Sequence, residues 1–207
     1  MPFSSTERGR AAFSSGGAYR WLLERSWDPG PSVAVAGRSS RSLIFCGLNP
    51  SKADADQNDS TLRRLRSFAG SWGYQRLIVI NLFALVTPSP QMLRRHRRPV
   101  GSANDAVINH WLRHWACRPS WDLWLGWGAN GSLHGRDCWF LDRLQSLITT
   151  RSSRTGDGPF CLGRTHRGHP RHPLYLPASS IPQPWFAAGV SPIRHPVSDV
   201  QVCTVSP

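Results

Sequence analysis

What this chain lacks narrows its class before any motif is read. Lysine is nearly absent: Lys52 stands alone against 24 arginines, and acidic residues number only 12. No run of about 18 apolar residues occurs, and the polar N-terminus has no signal-peptide core. Both absences predict a soluble, cytoplasmic protein with no membrane partner. The five cysteines (Cys46, Cys117, Cys138, Cys161, Cys203) form no CxxC pair and are odd in number. That argues against a disulfide framework, a zinc ribbon or an iron–sulfur site, and no metal or cofactor is expected.

What is present is a formal charge of +13 on 207 residues. A GC-rich genome accounts for arginine over lysine but not for the shortage of acids. A field of this sign favours a polyanion, most simply nucleic acid, and arginine suits bidentate phosphate contacts. The length suits a single domain with its own core.

Hydrophobic periodicity divides the chain. Residues 1–17 are Ser- and Gly-rich and read as a flexible N-terminus. Tyr19–Trp27 reads as an edge strand or a short helix, with strand preferred, Asp28–Pro31 as a turn and Val33–Ala36 as a weak segment. Ser42–Cys46 is a short apolar run bounded by breakers, hence a buried strand. Asp59-Ser60 caps a helix whose stripe is Leu62, Leu65, Phe68, Ala69 and Trp72, with Arg63, Arg64 and Arg66 on the solvated face. Leu77–Phe83 is nearly continuous apolar, as a central parallel strand should be. A helix over Asn104–Trp115, a strand over Trp121–Gly128, a helix over Asp137–Ile148 and a strand over Phe160–Leu162 follow. The alternation predicts an α/β fold: one domain over 18–186, a mainly parallel four-stranded central sheet flanked by helices, and a Pro-rich tail over 187–207.

Three places carry polar chemistry. Gly47-Leu48-Asn49-Pro50-Ser51 ends the first buried strand on a rigid turn, which is where open α/β sheets bind ligands. The same residues also make ordinary strand-exit turns. Asn81 puts an amide at the end of an apolar run, either bonding its own loop or meeting a ligand. Arg164-Thr165-His166-Arg167-Gly168-His169-Pro170-Arg171-His172-Pro173-Leu174-Tyr175 interleaves cations with prolines before a Leu-Tyr tip. Prolines forbid the helix that would align its histidines on zinc, so the loop suits a phosphate backbone or is plain basic surface. The run Arg94–Arg98 likewise reads as solvated surface or a DNA contact.

In this order, Gly47-Leu48-Asn49-Pro50-Ser51-Lys52-Ala53-Asp54, Asn81-Leu82-Phe83, Trp127-Gly128-Ala129 and Gly168–Tyr175 resemble a bacterial and phage family of unknown function. More remotely, the four blocks resemble the uracil-DNA glycosylase superfamily, including an antiviral member that removes α-glucosylated hydroxymethylcytosine from phage DNA. The resemblance implies a uracil-DNA-glycosylase-like fold and a monomeric, monofunctional, metal-independent DNA glycosylase. Such an enzyme flips a modified pyrimidine out of double-stranded phage or modified DNA and leaves an abasic site. Asn49 then positions the attacking water, and His169 stabilises the leaving base. One extra residue in the last block lets His172 take that role instead. Leu48, Ser51, Asn81 and Phe83 contact the base. Ser51 replaces a Tyr that excludes bulky bases, which implies a roomier pocket. Lys52, Arg164, Arg167, Arg171, Leu174 and Tyr175 contact DNA, Leu174 as the wedge. Two other readings stand beside this one: a non-catalytic nucleic-acid binder using the same cleft, and a metal-dependent hydrolase centred on Asp54, Asp56 and Asp59.

Overall fold

The computed structural model describes residues 8–28, 41–51, 57–153 and 157–186. In chain order its strands are β1 (Arg8–Phe13), β2 (Arg20–Ser26), β3 (Ser42–Gly47), β4 (Arg76–Asn81), β5 (Trp121–Leu125), β6 (Phe160–Cys161) and β7 (Gln183–Pro184). Its helices are α1 (Ser60–Ser71), α2 (Pro90–Arg95), α3 (Asn104–Cys117) and α4 (Arg136–Ser153). The apolar runs form the middle of one sheet. β3 is buried throughout and pairs in parallel with β4 on one side and β5 on the other; β6 continues beyond β5.

The expectation of four strands is corrected to seven, ordered β1-β2-β4-β3-β5-β6-β7. The parallel part is the four strands expected, and β1, β2 and β7 are added antiparallel at its flanks. Residues 8–13, read as part of a flexible N-terminus, pair with β2, which is therefore not an edge strand. β1 buries almost nothing, so backbone hydrogen bonds hold it and no apolar period betrays it. The weak segment at 33–36 and the tail from 187 lie outside the described residues.

Alternation along β3 builds two cores. Leu43 and Phe45 face α1 and meet Leu62, Leu65 and Phe68; Ile44 and Cys46 face α3 and α4 and meet Ile108, Leu112, Trp115, Phe140 and Leu144. The capping expectation for α1 holds: the Asp59 carboxylate accepts from the Leu62 N–H at 2.7 Å. The arginines of α1 are not the free face expected. Arg66 stacks 3.5 Å over the Trp27 ring, while Arg64 lies over Phe68 and donates to the Leu176 carbonyl.

An ionic network closes the amino ends of the central strands. Asp122 accepts from Tyr74 Oη at 2.7 Å and Arg41 Nη2 at 2.5 Å, and Arg151 Nη2 lies 3.6 Å away. Arg151 is 1 % exposed and donates to the Trp115 and Arg118 carbonyls at the end of α3. No helix among the described residues is long and apolar enough to cross a membrane.

Candidate functional site

From β3 the chain crosses to β4 on one side, then returns past β3 to β5 on the other. The winding reverses at β3, and such a reversal opens a crevice outside the carboxyl ends of the strands. Here the crevice is a cavity of about 510 Å³, walled by the loops after β3, β4, β5 and β6. That volume is in the ~300–1,000 Å³ range of sites enclosing a small molecule.

The loops are tied to one another. Leu82 N–H donates to Gly47 O at 3.0 Å and Phe83 N–H to Leu48 O at 2.9 Å, while Gly128 N–H reaches Pro170 O at 2.9 Å. Asn49 completes the clasp: its Nδ2 donates to Pro50 O at 3.0 Å and Thr87 O at 2.7 Å. Its Oδ1 has no protein donor among the described residues and is the acceptor left for water or ligand.

Asn81 is the most informative side chain. It lines the cavity, is only 4 % exposed, and its side-chain amide has no hydrogen-bond partner among the described residues. Its main chain, by contrast, is locked. Asn104 Nδ2 donates to the Asn81 and Leu82 carbonyls at 3.0 and 3.1 Å, and Arg136 Nε donates to Leu82 O at 3.1 Å. A methyl group on Gly47 would sit 2.8 Å from Asn81 Oδ1 and 3.0 Å from the Phe45 ring, so only glycine leaves the amide its place. Its polar atoms keep contact with the solvent of the cavity, so the amide is available to a molecule bound there.

Of the two histidines offered for one role, the structure places His172 in the cavity wall. His169 stands apart, with Nδ1 3.5 Å from Asp137 at the start of α4. His172 Nδ1 accepts from the Leu174 N–H at 3.3 Å, which puts the neutral ring's proton on Nε2. Burial lowers the His172 pKa, with Asp59 pulling partly the other way. The ring is therefore neutral at pH 7 and can donate a hydrogen bond.

Leu48, Ser51, Arg171, Leu174 and Tyr175 line the cavity as well. Leu174 is half-buried, whereas Tyr175 is 80 % exposed and forms the projecting tip. Phe83 is fully buried and packs into the core rather than the cavity; Phe45 supplies the cavity's aromatic wall. Arg164 stacks 3.9 Å over Trp185 and donates to its carbonyl, so it secures the chain near β7. Arg167 is exposed, near the turn of a folded-back loop closed by Thr165 N–H to His169 O at 2.7 Å. Lys52, Asp54 and Asp56 lie outside the described residues. Among the described residues no three His, Cys, Asp or Glu side chains converge as a metal site. Arg94 and Arg95, with Gln91, border a second groove sharing Pro90 and Asn130 with the cavity. Arg20, buried in strand β2, carries no signal in sequence, yet its side chain reaches the cavity wall. Cys46 is not a nucleophile in waiting, because full burial pushes its thiol far above the ordinary range.

The family model described as "Protein of unknown function (DUF1643)" matches residues 20–174. The chain belongs to that family. The match begins at the first residue of β2 and ends at Leu174 beside the tip, so the residues lining the cavity, Tyr175 apart, are inside it. No curated protein and no solved structure matches.

Proposed function

We propose that this protein is a monofunctional DNA glycosylase that flips a modified pyrimidine into the cavity and hydrolyses its N-glycosidic bond. The observation that carries the reading is Asn81: a buried, unpartnered amide on a locked backbone, beside the Phe45 ring. It suits the hydrogen-bonding edge of a flat heterocycle whose face rests on the aromatic wall. Asn49 Oδ1 holds the attacking water. As the glycosidic bond breaks, its electron pair leaves with the base, and the Nε2–H of His172 stabilises that charge. Water oxygen bonds to C1′ of the sugar, and the proton it gives up ends on the released base. Ser51 leaves space for a base larger than uracil, and α-glucosylated hydroxymethylcytosine of phage DNA, with an antiviral role, is the candidate.

The test is an excision assay with metals chelated, on plain DNA, uracil-containing DNA and phage DNA bearing α-glucosylated hydroxymethylcytosine. Abasic sites should appear on the glucosylated substrate and fall about 10³-fold in Asn49→Ala, which loses both the water acceptor and the loop clasp. No abasic sites on any of the three, with tight salt-sensitive binding retained, would favour a non-catalytic binder instead.

The exposed Tyr175 takes the wedge role expected of Leu174, entering the stack where the nucleotide has left. Tyr175→Ala should therefore slow excision from duplex about tenfold while hardly changing excision from single strands. Equal slowing on both would assign Tyr175 to the base pocket and not to flipping.

A further inference from the structure

In glycosidic hydrolysis the sugar gathers positive charge before water adds, and a nearby anion lowers that barrier. Asn49 is neutral, and its loop explains why. The Pro50 and Thr87 carbonyls approach its Nδ2 to 3.0 and 2.7 Å, where only a donor fits; an aspartate there would face them oxygen to oxygen. The anion has to come from elsewhere in the cavity.

We infer that Asp59, the N-cap of α1, is the catalytic carboxylate of this site, placed against the sugar's developing positive charge; the inference rests on the glycosylase reading. Asp59 is the only acidic residue among the described residues that line the cavity, where the other charged or titratable groups are Arg20, Arg171, His172 and Tyr175. Both its oxygens are held. One accepts from the Leu62 N–H at 2.7 Å, and the other takes the Ser51 hydroxyl in a short hydrogen bond. Ser51 belongs to the turn that carries Asn49, so this bond ties the carboxylate to the residue that holds water. A group fixed in this way needs no reorganisation as charge develops, which is the condition for electrostatic catalysis. Its field also reaches His172 on the far loop, where it acts against the effect of burial. One anion thus faces the sugar and biases the donor to the leaving base. Helix capping, for which the sequence already accounts, occupies only one of the two oxygens.

The test uses Asp59→Asn, because asparagine caps a helix as well as aspartate does, and Asp59→Ser, a second good cap without a carboxylate. The substrate is phage DNA bearing α-glucosylated hydroxymethylcytosine, under single-turnover conditions with metals chelated. Both variants should keep the wild-type melting temperature and bind this DNA within about threefold, yet release base about 100-fold more slowly. In the free protein, the NMR titration of His172 should shift to lower pH in both variants. Rates within about threefold of wild type in both, or an unmoved His172 titration, would overturn the role of Asp59 and leave the glycosylase reading standing. A wild-type protein that releases no base from glucosylated or uracil DNA would overturn both.

Discussion

Asn81→Ala is expected to reduce base excision about 10³-fold and, at the same time, to leave stability within about 0.5 kcal/mol of wild type. The side-chain amide has no protein partner among the described residues, and its polar atoms keep contact with the solvent of the cavity. Alanine therefore breaks no protein hydrogen bond. The vacated space opens into the cavity and so makes no sealed void. The backbone carbonyls of Asn81 and Leu82 keep their donors on Asn104 and Arg136. Substrate reading is lost because the edge of the base then meets a methyl group. A melting curve beside the excision assay checks both halves. A variant that is inactive and also clearly destabilised would mean that Asn81 is structural.

Arg151→Met is expected to be the most destabilising of these substitutions, by about 3–5 kcal/mol, with excision per folded molecule unchanged. Arg151 is buried against the end of α3 and donates to the Trp115 and Arg118 carbonyls at 2.9 and 2.6 Å, a charged second donor to groups that also accept from the Arg118 and Trp121 N–H. It is also the cation nearest Asp122 on the inner side, at 3.6 Å. Methionine fills the space of the stem but removes the charged donor to the Trp115, Arg118 and Asp157 carbonyls and leaves part of the Asp122 carboxylate's charge unanswered. Urea unfolding measures the loss, which for a domain of this size corresponds to a melting point lower by about 10 °C. A change under about 1 kcal/mol would show that water replaces the guanidinium at no cost. The network sits at the amino ends of the strands and the cavity at their carboxyl ends, which is why activity and stability separate.

The central strands and three of the helices were legible because their residues obey one strong rule each. Ser42–Cys46 and Leu77–Phe83 are too short and too apolar for anything but buried strands, and Asp59 announces α1 by its capping chemistry. β1 was not legible, since its residues are exposed and only the ladder to β2 holds them. β7 and α2 are too short to carry a period. Within the site, the Gly-Leu-Asn-Pro-Ser turn and the Asn at the end of β4 could be read from position alone. Phe45, Asp59 and Arg20 could not: each already had an adequate explanation as a strand residue or a helix cap, and only the fold brings them to one cavity. Phe83 failed for a related reason. β4 ends at Asn81 and the alternation breaks there, so Leu82 and Phe83 both fall in the core that faces α3 and α4.

The orientation of Asn81 is set from behind, by Asn104 on α3 and Arg136 on α4, neither of which lines the cavity. Two helices on the opposite face of the sheet thus decide which way the ligand-facing amide points. The cavity's lips can change in length and residue type without disturbing that aim, while a single exchange among side chains invisible from the opening would redirect it. On the glycosylase reading, freedom to acquire new substrates lies in the loops, and fidelity to one substrate lies in the hidden contacts between helix and strand.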